Sequence, residues 1–210
     1  MRTILSKQPS ASLRDAQRML TRSRISEAAR EVFFTRGYSQ STIDEIIQVA
    51  GISKSTLYAH FRDSEDLLAH IAADYTTALC EVAARLPGPV PTRAEIGTWV
   101  EEVAALIRRE RTPSIVVVGL ANTADSPLCI QEIGDKLFET LAIRLPVFRH
   151  ALADPQGLVM AWATVAMREL GLACLQHARD NGKGFSNNAL TVAGDLFARL
   201  VQEHPNKDTK

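Results

Sequence analysis

The sequence has little of what covalent chemistry or metal binding requires. Its 210 residues hold three cysteines, Cys80, Cys129 and Cys174, widely separated and without a CxxC pair. Neither a disulfide framework nor a zinc site is indicated, and the thiols read as buried apolar groups. No uninterrupted apolar run approaches the roughly 18 residues of a membrane span. The opening MRTILSKQPSASLRD lacks the apolar centre of a secretory signal. A cytoplasmic protein with no membrane partner is therefore expected. There is no Gly-rich phosphate loop, no nucleophile elbow and no His-Glu pair at metal spacing. His70, His150, His177 and His204 are scattered, as surface or satisfied core histidines are. Nothing here supports an enzyme, a metal site or a cofactor.

Net charge is also lacking, since 24 Lys and Arg balance 24 Asp and Glu. The zero conceals an asymmetry. Residues 1 to 62 carry ten Lys or Arg against five Asp or Glu, and the remainder 14 against 19. A basic segment of +5 joined to an acidic one of −5 is the footprint of a nucleic-acid module attached to a domain with another task.

What the chain does have is helical periodicity, with 46% hydrophobic residues to fill a core. It is organised around TIDEIIQVAGISKSTLYAHF, residues 42–61. Thr42 with Glu45 three positions on is a capping box, in which each side chain satisfies a backbone donor at the helix start. Ile43, Ile46, Ile47 and Ala50 then make one buried face. Gly51 supplies a left-handed stop, and Ser53 caps the next helix. That short helix has Leu57 and Phe61, four apart, as its apolar members, leaving Lys54, Ser55, Thr56, Tyr58 and His60 on another face. All five can donate a hydrogen bond and none is acidic. Two short helices with a glycine turn in the basic segment read as a helix-turn-helix DNA-reading unit.

Residues 1–20 form a basic arm whose first ten residues are expected to be loose. A helix can begin near Ser12, with Arg14, Arg18 and Arg22 at i, i+4 and i+8. This stripe is either a solvated face or a phosphate-tracking one. Ile25, Ala28, Ala29, Val32 and Phe33 mark the first helix proper, ending at Gly37. Phe33, Ile46, Leu57 and Phe61 are then the centre of a three-helix domain, residues 21–66.

Residues 67–204 read as a larger helical domain, followed by a tail, 205–210. Leu67 to Leu86 is a long helix able to belong to both parts as a lever, broken at Pro87-Gly88-Pro89-Val90-Pro91. Thr92 and Glu95 repeat the capping box. Thr112-Pro113 looks like a cap with proline at the first helical position. The β-branched run Ile115–Val118 is taken as helix because a lone strand would have no partner. Ser126-Pro127 opens another helix, which Pro146 should kink or end. Asp154-Pro155 begins a long segment closed by Asn181-Gly182, and Ser186 caps the last helix. The fold class is all-α.

Trp99, Phe138, Met160, Trp162 and Met167 each read as core when taken singly. As a set they allow a pocket for an apolar or amphipathic small molecule. Ala161, Ala166, Gly171, Ala173, Ala193 and Gly194 would let the last two helices pack closely across a two-fold axis in a homodimer.

Residues from about Arg24 to Ile71, including ISEAAREVFFTRGYSQSTIDEIIQVAGISKSTLYAHFRDSEDLLAHI, resemble the N-terminal domain of TetR/AcrR-type transcriptional regulators. The likeness covers Phe33 and Gly37, the Thr-x-x-Glu-Ile start, the Ala-Gly-Ile-Ser turn, and Leu-Tyr-x-His-Phe before an acidic helix start and Leu-Leu. It implies an all-helical homodimer with a divergent C-terminal ligand-binding and dimerisation domain. Carried over by position, Thr42 and Tyr58 contact phosphate, Ser53, Lys54, Ser55 and Thr56 sit at the major-groove end of the recognition helix, and His60 reaches the DNA backbone. Arg24 and Arg62 complete the set. Such regulators often have a lysine at the start of the fourth helix, where this chain has Ser64; Arg62 would supply that charge. Lys54 is the candidate for a guanine edge, whereas Ser55 and Thr56 read bases weakly, which leaves specificity to shape and dimer spacing.

The function expected is a DNA-binding transcriptional regulator. It would be a repressor released by a small-molecule effector from a (pseudo)palindromic double-stranded operator. The alternative is a small-molecule-binding or protein-interaction helical module whose helix-turn-helix does not bind DNA specifically.

Overall fold

The computed structural model describes residues 13–123, 125–180 and 184–203. Among these, all regular structure is helical, and the chain divides into two compact units, residues 1–67 and 68–210.

In the first unit α1, Leu13–Arg36, is unbroken. The expected separation of an arm up to residue 20 from a first helix is absent, because the Arg14–Arg22 stretch continues the same helix. Residues 1–12 of that arm lie outside the described residues. The halves of α1 differ in surroundings: residues 13–20 are all exposed, whereas Ile25, Ala28, Ala29, Val32 and Phe33 are buried. A 3-10 turn, Tyr38–Gln40, leads to α2, Ile43–Ala50, and α3, Lys54–Tyr58. Gly51 ends α2 at φ 60° and ψ 45°, a conformation that favours glycine. Phe33, Ile46, Leu57 and Phe61 are all buried at the centre, as the periodicity requires.

α4, Ser64–Ala83, has residues in both units. The second unit continues with α5, Arg93–Arg109, α6, Arg111–Leu120, α7, Leu128–Ala142, α8, Pro146–Ala153, α9, Leu158–Asp180, and α10, Phe185–Glu203. α9 packs along α10 and also against α5, α6 and α8. The aromatic centre stacks Trp99 on Phe197 at 5.0 Å between ring centroids, with Phe148 6.2 Å from Phe197. The Trp99 indole N–H donates to the Val82 carbonyl at 2.9 Å, which satisfies the polar end of a buried ring and ties α5 to α4.

Several proline-based starts need correction. Glu110 both closes α5 and precedes α6, so Thr112 caps nothing and Pro113 is the third helical residue. α7 begins at Leu128 with Pro127, not Ser126, at the cap position. Pro146 neither kinks nor ends α7, which stops at Ala142; it opens α8, where its missing N–H needs no partner. α9 begins at Leu158 rather than at Asp154-Pro155. Ser186 lies inside α10 and is fully buried. Ile115–Val118 is helical within α6. The expected stop at Asn181-Gly182 lies outside the described residues, as do His204 and the 205–210 tail.

By length and composition α9 could cross a bilayer, with a mean hydropathy of 1.5 over 18 residues, although Arg168 and Glu169 interrupt its apolar run. Its packing against four helices is that of a core helix. All three cysteines are free. Burial pushes the Cys174 thiol up to about 12, with Glu101 adding to the effect, so it carries no thiolate character.

Candidate nucleic-acid interface and ligand cavity

The start of α2 is held by reciprocal bonds. Thr42 is extended, and its hydroxyl accepts from the Glu45 N–H at 3.2 Å. Glu45 Oε2 accepts from the Thr42 N–H at 2.9 Å and from the Thr42 hydroxyl at 3.0 Å. Arg36 adds an ion pair to Glu45 at 2.8 Å. The Thr42 backbone bond, then the Thr42 hydroxyl, holds the Glu45 carboxyl below its ordinary range, with a smaller contribution from Arg36. A phosphate taken by the Thr42 hydroxyl must therefore compete with Glu45 for its proton.

α3 begins with a hydroxyl cluster. Ser53 Oγ accepts from the Thr56 N–H at 3.2 Å and lies 2.9 Å from Ser55 Oγ and 2.8 Å from Thr56 Oγ1. Lys54 Nζ pairs with Asp44 Oδ1 at 3.2 Å, a partner that the sequence pattern did not disclose. Both side chains are mostly exposed, so release costs at most about 1 kcal/mol. Tyr58 is half exposed. Ser53, Lys54, Ser55, Thr56 and Tyr58 thus belong to one short, outward-facing element, with Thr42 at the start of α2.

The other expected contacts lie around it. Arg24 donates to the Gly51 carbonyl at 3.5 Å, at the end of α2. Arg62 gives its backbone N–H to Asp66 at 2.9 Å and its Nε to Asp63 at 3.2 Å, so its charge is already partly answered. His60 is half-buried and its Nδ1 is enclosed with no hydrogen-bond partner. Burial first, then the charges of Arg18 and Arg22, keep its imidazole below the usual histidine range and hence neutral at pH 7. Arg22 donates to the His60 carbonyl at 2.8 Å and lies 4.2 Å over the Phe61 ring. Arg18 and Arg22 were outside the expected contact set, although their i, i+4 spacing was visible.

The second unit has an open-sided cavity of about 460 Å³ among the described residues, within the roughly 300–1,000 Å³ of small-molecule sites. Its wall is mostly apolar and comes from α4, α5, α6, α7 and α9. Trp99, Phe138 and Met167 are brought together in it. Met160 and Trp162 do not line it: the Met160 sulfur accepts from the Thr164 hydroxyl at 3.7 Å, and Trp162 is 42% exposed. The expected pocket set omitted Tyr75 and Gly134, which also line it. Burial pushes the Tyr75 phenol up to about 12, against the opposing effect of its Ser114 hydrogen bond, so it is a neutral group. Among the described residues of the wall, Arg168 alone is charged, accompanied by Asn122, Thr123 and Thr164.

Residues 25–71 match the family model of bacterial regulatory proteins of the tetR family. The matched segment contains the whole α2–α3 unit. Residues 25–71 are thus similar to the DNA-binding segment of tetR-family regulators. The HTH-type transcriptional repressor BepR of Brucella suis is 43% identical over 51 residues, 24% of each chain. The HTH-type transcriptional regulator SrpR of Pseudomonas putida is 40% identical over 53 residues, 25% of each chain. These matches span about a quarter of the length of either relative. The HTH-type transcriptional regulator AcrR of Shigella flexneri is 26% identical over 165 residues, 70% of this chain and 73% of its own. Among solved structures, FadR of Bacillus subtilis in complex with stearoyl-CoA has a TM-score of 0.58 at 17% identity, covering 87% of this chain and 99% of its own. A tetR family regulator from Shewanella has a TM-score of 0.61 at 12% identity, covering 85% and 96%. At these identities the structures speak for the TetR-family fold alone.

Proposed function

We propose that the chain is a dimeric transcriptional regulator that acts as a repressor on a (pseudo)palindromic double-stranded operator and is released by a small apolar or amphipathic ligand. The observation that carries this is α3, a capped helix in the TetR-family segment that presents Lys54, Ser55, Thr56 and Tyr58 and no acid. Lys54 exchanges Asp44 for a guanine edge or a phosphate, Tyr58 and Thr42 hold phosphates, and the Ser53 cluster lies at the major-groove end. Arg24, His60 and Arg62 approach the backbone on either side.

The cavity in the second unit receives the effector. Its apolar wall takes the body of the ligand, and Arg168 with Asn122, Thr123 and Thr164 takes a polar head. The stearoyl-CoA bound by Bacillus subtilis FadR is an example of such chemistry in a protein of this fold. The homodimer forms through α9 and α10, which leave Leu158, Trp162, Val165 and Val192 exposed to an extent that a partner would relieve. The ligand releases DNA by binding one spacing of the two reading units better than another, with α4 carrying the preference. The setting is the cytoplasm.

The test is selection of binding sites from a pool of random duplexes with the full chain. An enriched inverted repeat is expected, retained in a salt-sensitive manner and bound more weakly by Lys54→Ala or Tyr58→Phe. A pool that yields no enriched sequence would sink the proposal.

A further inference from the structure

We propose that the first half of α1 is a second DNA-contacting element, in which Arg14, Arg18 and Arg22 run along the phosphates flanking the site read by α3. This rests on the DNA-binding function proposed above.

α1 starts at Leu13, yet its first buried residue is Ile25. The eight exposed residues 13–20, at a rise of about 1.5 Å each, leave about 12 Å of helix projecting beyond the core. A helix segment of that length is marginal in water without a surface to lie on. Its composition specifies that surface. Residues 13–24 contain Arg14, Arg18, Arg22 and Arg24 against a single acid, Asp15. Arg14, Arg18 and Arg22 are four residues apart and share one face. Like charges at this spacing repel until an anion lies beside them.

The geometry gives this face its place. Arg22 is fixed where it emerges from the core, through the His60 carbonyl at 2.8 Å and the Phe61 ring at 4.2 Å. His60 lies two residues beyond the end of α3, and the charges of both Arg18 and Arg22 reach its imidazole. The basic ridge therefore leaves the unit at the C-terminal end of α3. A duplex whose groove takes the other end of that helix brings a phosphate strand to this side. Backbone contacts of this kind add affinity without base preference.

The experiment compares the full chain with the R14Q/R18Q and R14K/R18K variants on a selected duplex and on a scrambled duplex of equal length, across a salt series. Arg22 is left unchanged because it also packs on Phe61. For R14Q/R18Q the slope of log Kobs against log salt should become shallower by about 0.9 for each phosphate that is no longer neutralised. Affinity for both duplexes should fall by the same factor, leaving their ratio unchanged. R14K/R18K should restore the slope, because lysine also meets a phosphate, whereas a role that depended on guanidinium packing would not be rescued. A parent-like slope in R14Q/R18Q overturns the proposal and assigns the ridge to another partner, such as an acidic protein. Failure of the parent chain to retain either duplex overturns the underlying DNA-binding function instead, so the two failures are distinct.

Discussion

The two units hold their functional groups in opposite ways. In the first, exposed polar residues are held by bonds to near neighbours in the chain, as in Thr42 with Glu45 and Ser53 with Thr56. In the second, the functional feature is a space bounded by apolar side chains from five helices. A site made of local surface bonds can lose one residue and keep its fold. A cavity shares its wall with the core, so most changes to it disturb stability as well as binding.

Two substitutions test that difference within the second unit. Phe197 is fully buried and stacked on Trp99. Phe197→Ala is expected to cost about 3–5 kcal/mol in urea unfolding, the lost burial plus a void that the neighbouring rings cannot fill. Gly134 is a helical residue on the cavity wall, and a Cβ there meets nothing within 4 Å. Gly134→Leu should change stability by no more than about 1 kcal/mol, helix propensity working in its favour. It should nevertheless abolish thermal stabilisation by ligands that fill the cavity. A large destabilisation by Gly134→Leu would mean that the space is already packed, and the contrast between the units would fail.

In the first unit the expected pattern is reversed. Lys54→Ala removes an exposed side chain whose partner, Asp44, is itself exposed, so stability should stay within about 0.5 kcal/mol of the parent. Duplex binding should weaken by about 1–3 kcal/mol if Lys54 reads a guanine edge, with specificity relaxed at one base pair. Anisotropy titrations against duplexes substituted one base pair at a time make the measurement. A uniform loss across all duplexes would reassign Lys54 to phosphate.

The same contrast explains what could be read in advance. The first unit was legible because its signals are short-range: a capping box at 42–45, a left-handed glycine at 51, a cap at 53, and Phe33, Ile46, Leu57 and Phe61 at helical spacing. What escaped was non-local, namely Asp44 reaching Lys54 across the turn and Arg22 lying on Phe61. In the second unit the helices were legible and several of their starts were not. A Thr-Pro or Ser-Pro pair signals a cap only where the hydroxyl meets a free N–H, and α6 follows α5 through Glu110 with no room for one at Thr112. The cavity wall follows the α9 face of Thr164, Met167, Arg168 and Gly171. Trp162, two residues before Thr164, points about 200° around the helix from it. Apolarity alone marks neither which face of a helix meets a cavity nor where along it the cavity ends.

The smallest expected effect uses a motif common to both units. The boxes of α2 and α5 have nearly the same geometry: Thr92 accepts from the Glu95 N–H at 3.3 Å, and its own N–H and hydroxyl each donate to Glu95 at 2.7 Å. Thr42→Ala and Thr92→Ala should each cost about 0.5–2 kcal/mol, read as faster hydrogen exchange at the Glu45 and Glu95 amides. Only the first should also weaken duplex binding. Acid gives an independent check. In both glutamates the bond from the threonine backbone N–H is the leading cause of a pKa below the ordinary 4.5. A carboxyl whose folded pKa is lowered stabilises the fold fully above that ordinary value and ceases to do so as pH falls through the lowered one. Arg36 lies 2.8 Å from Glu45, whereas no cation contributes to the lowering at Glu95. Arg36→Gln should therefore raise the pH at which protection at Glu45, corrected for intrinsic exchange, disappears, and leave Glu95 unchanged. An unchanged profile at Glu45 would show that the threonine bonds alone set both boxes.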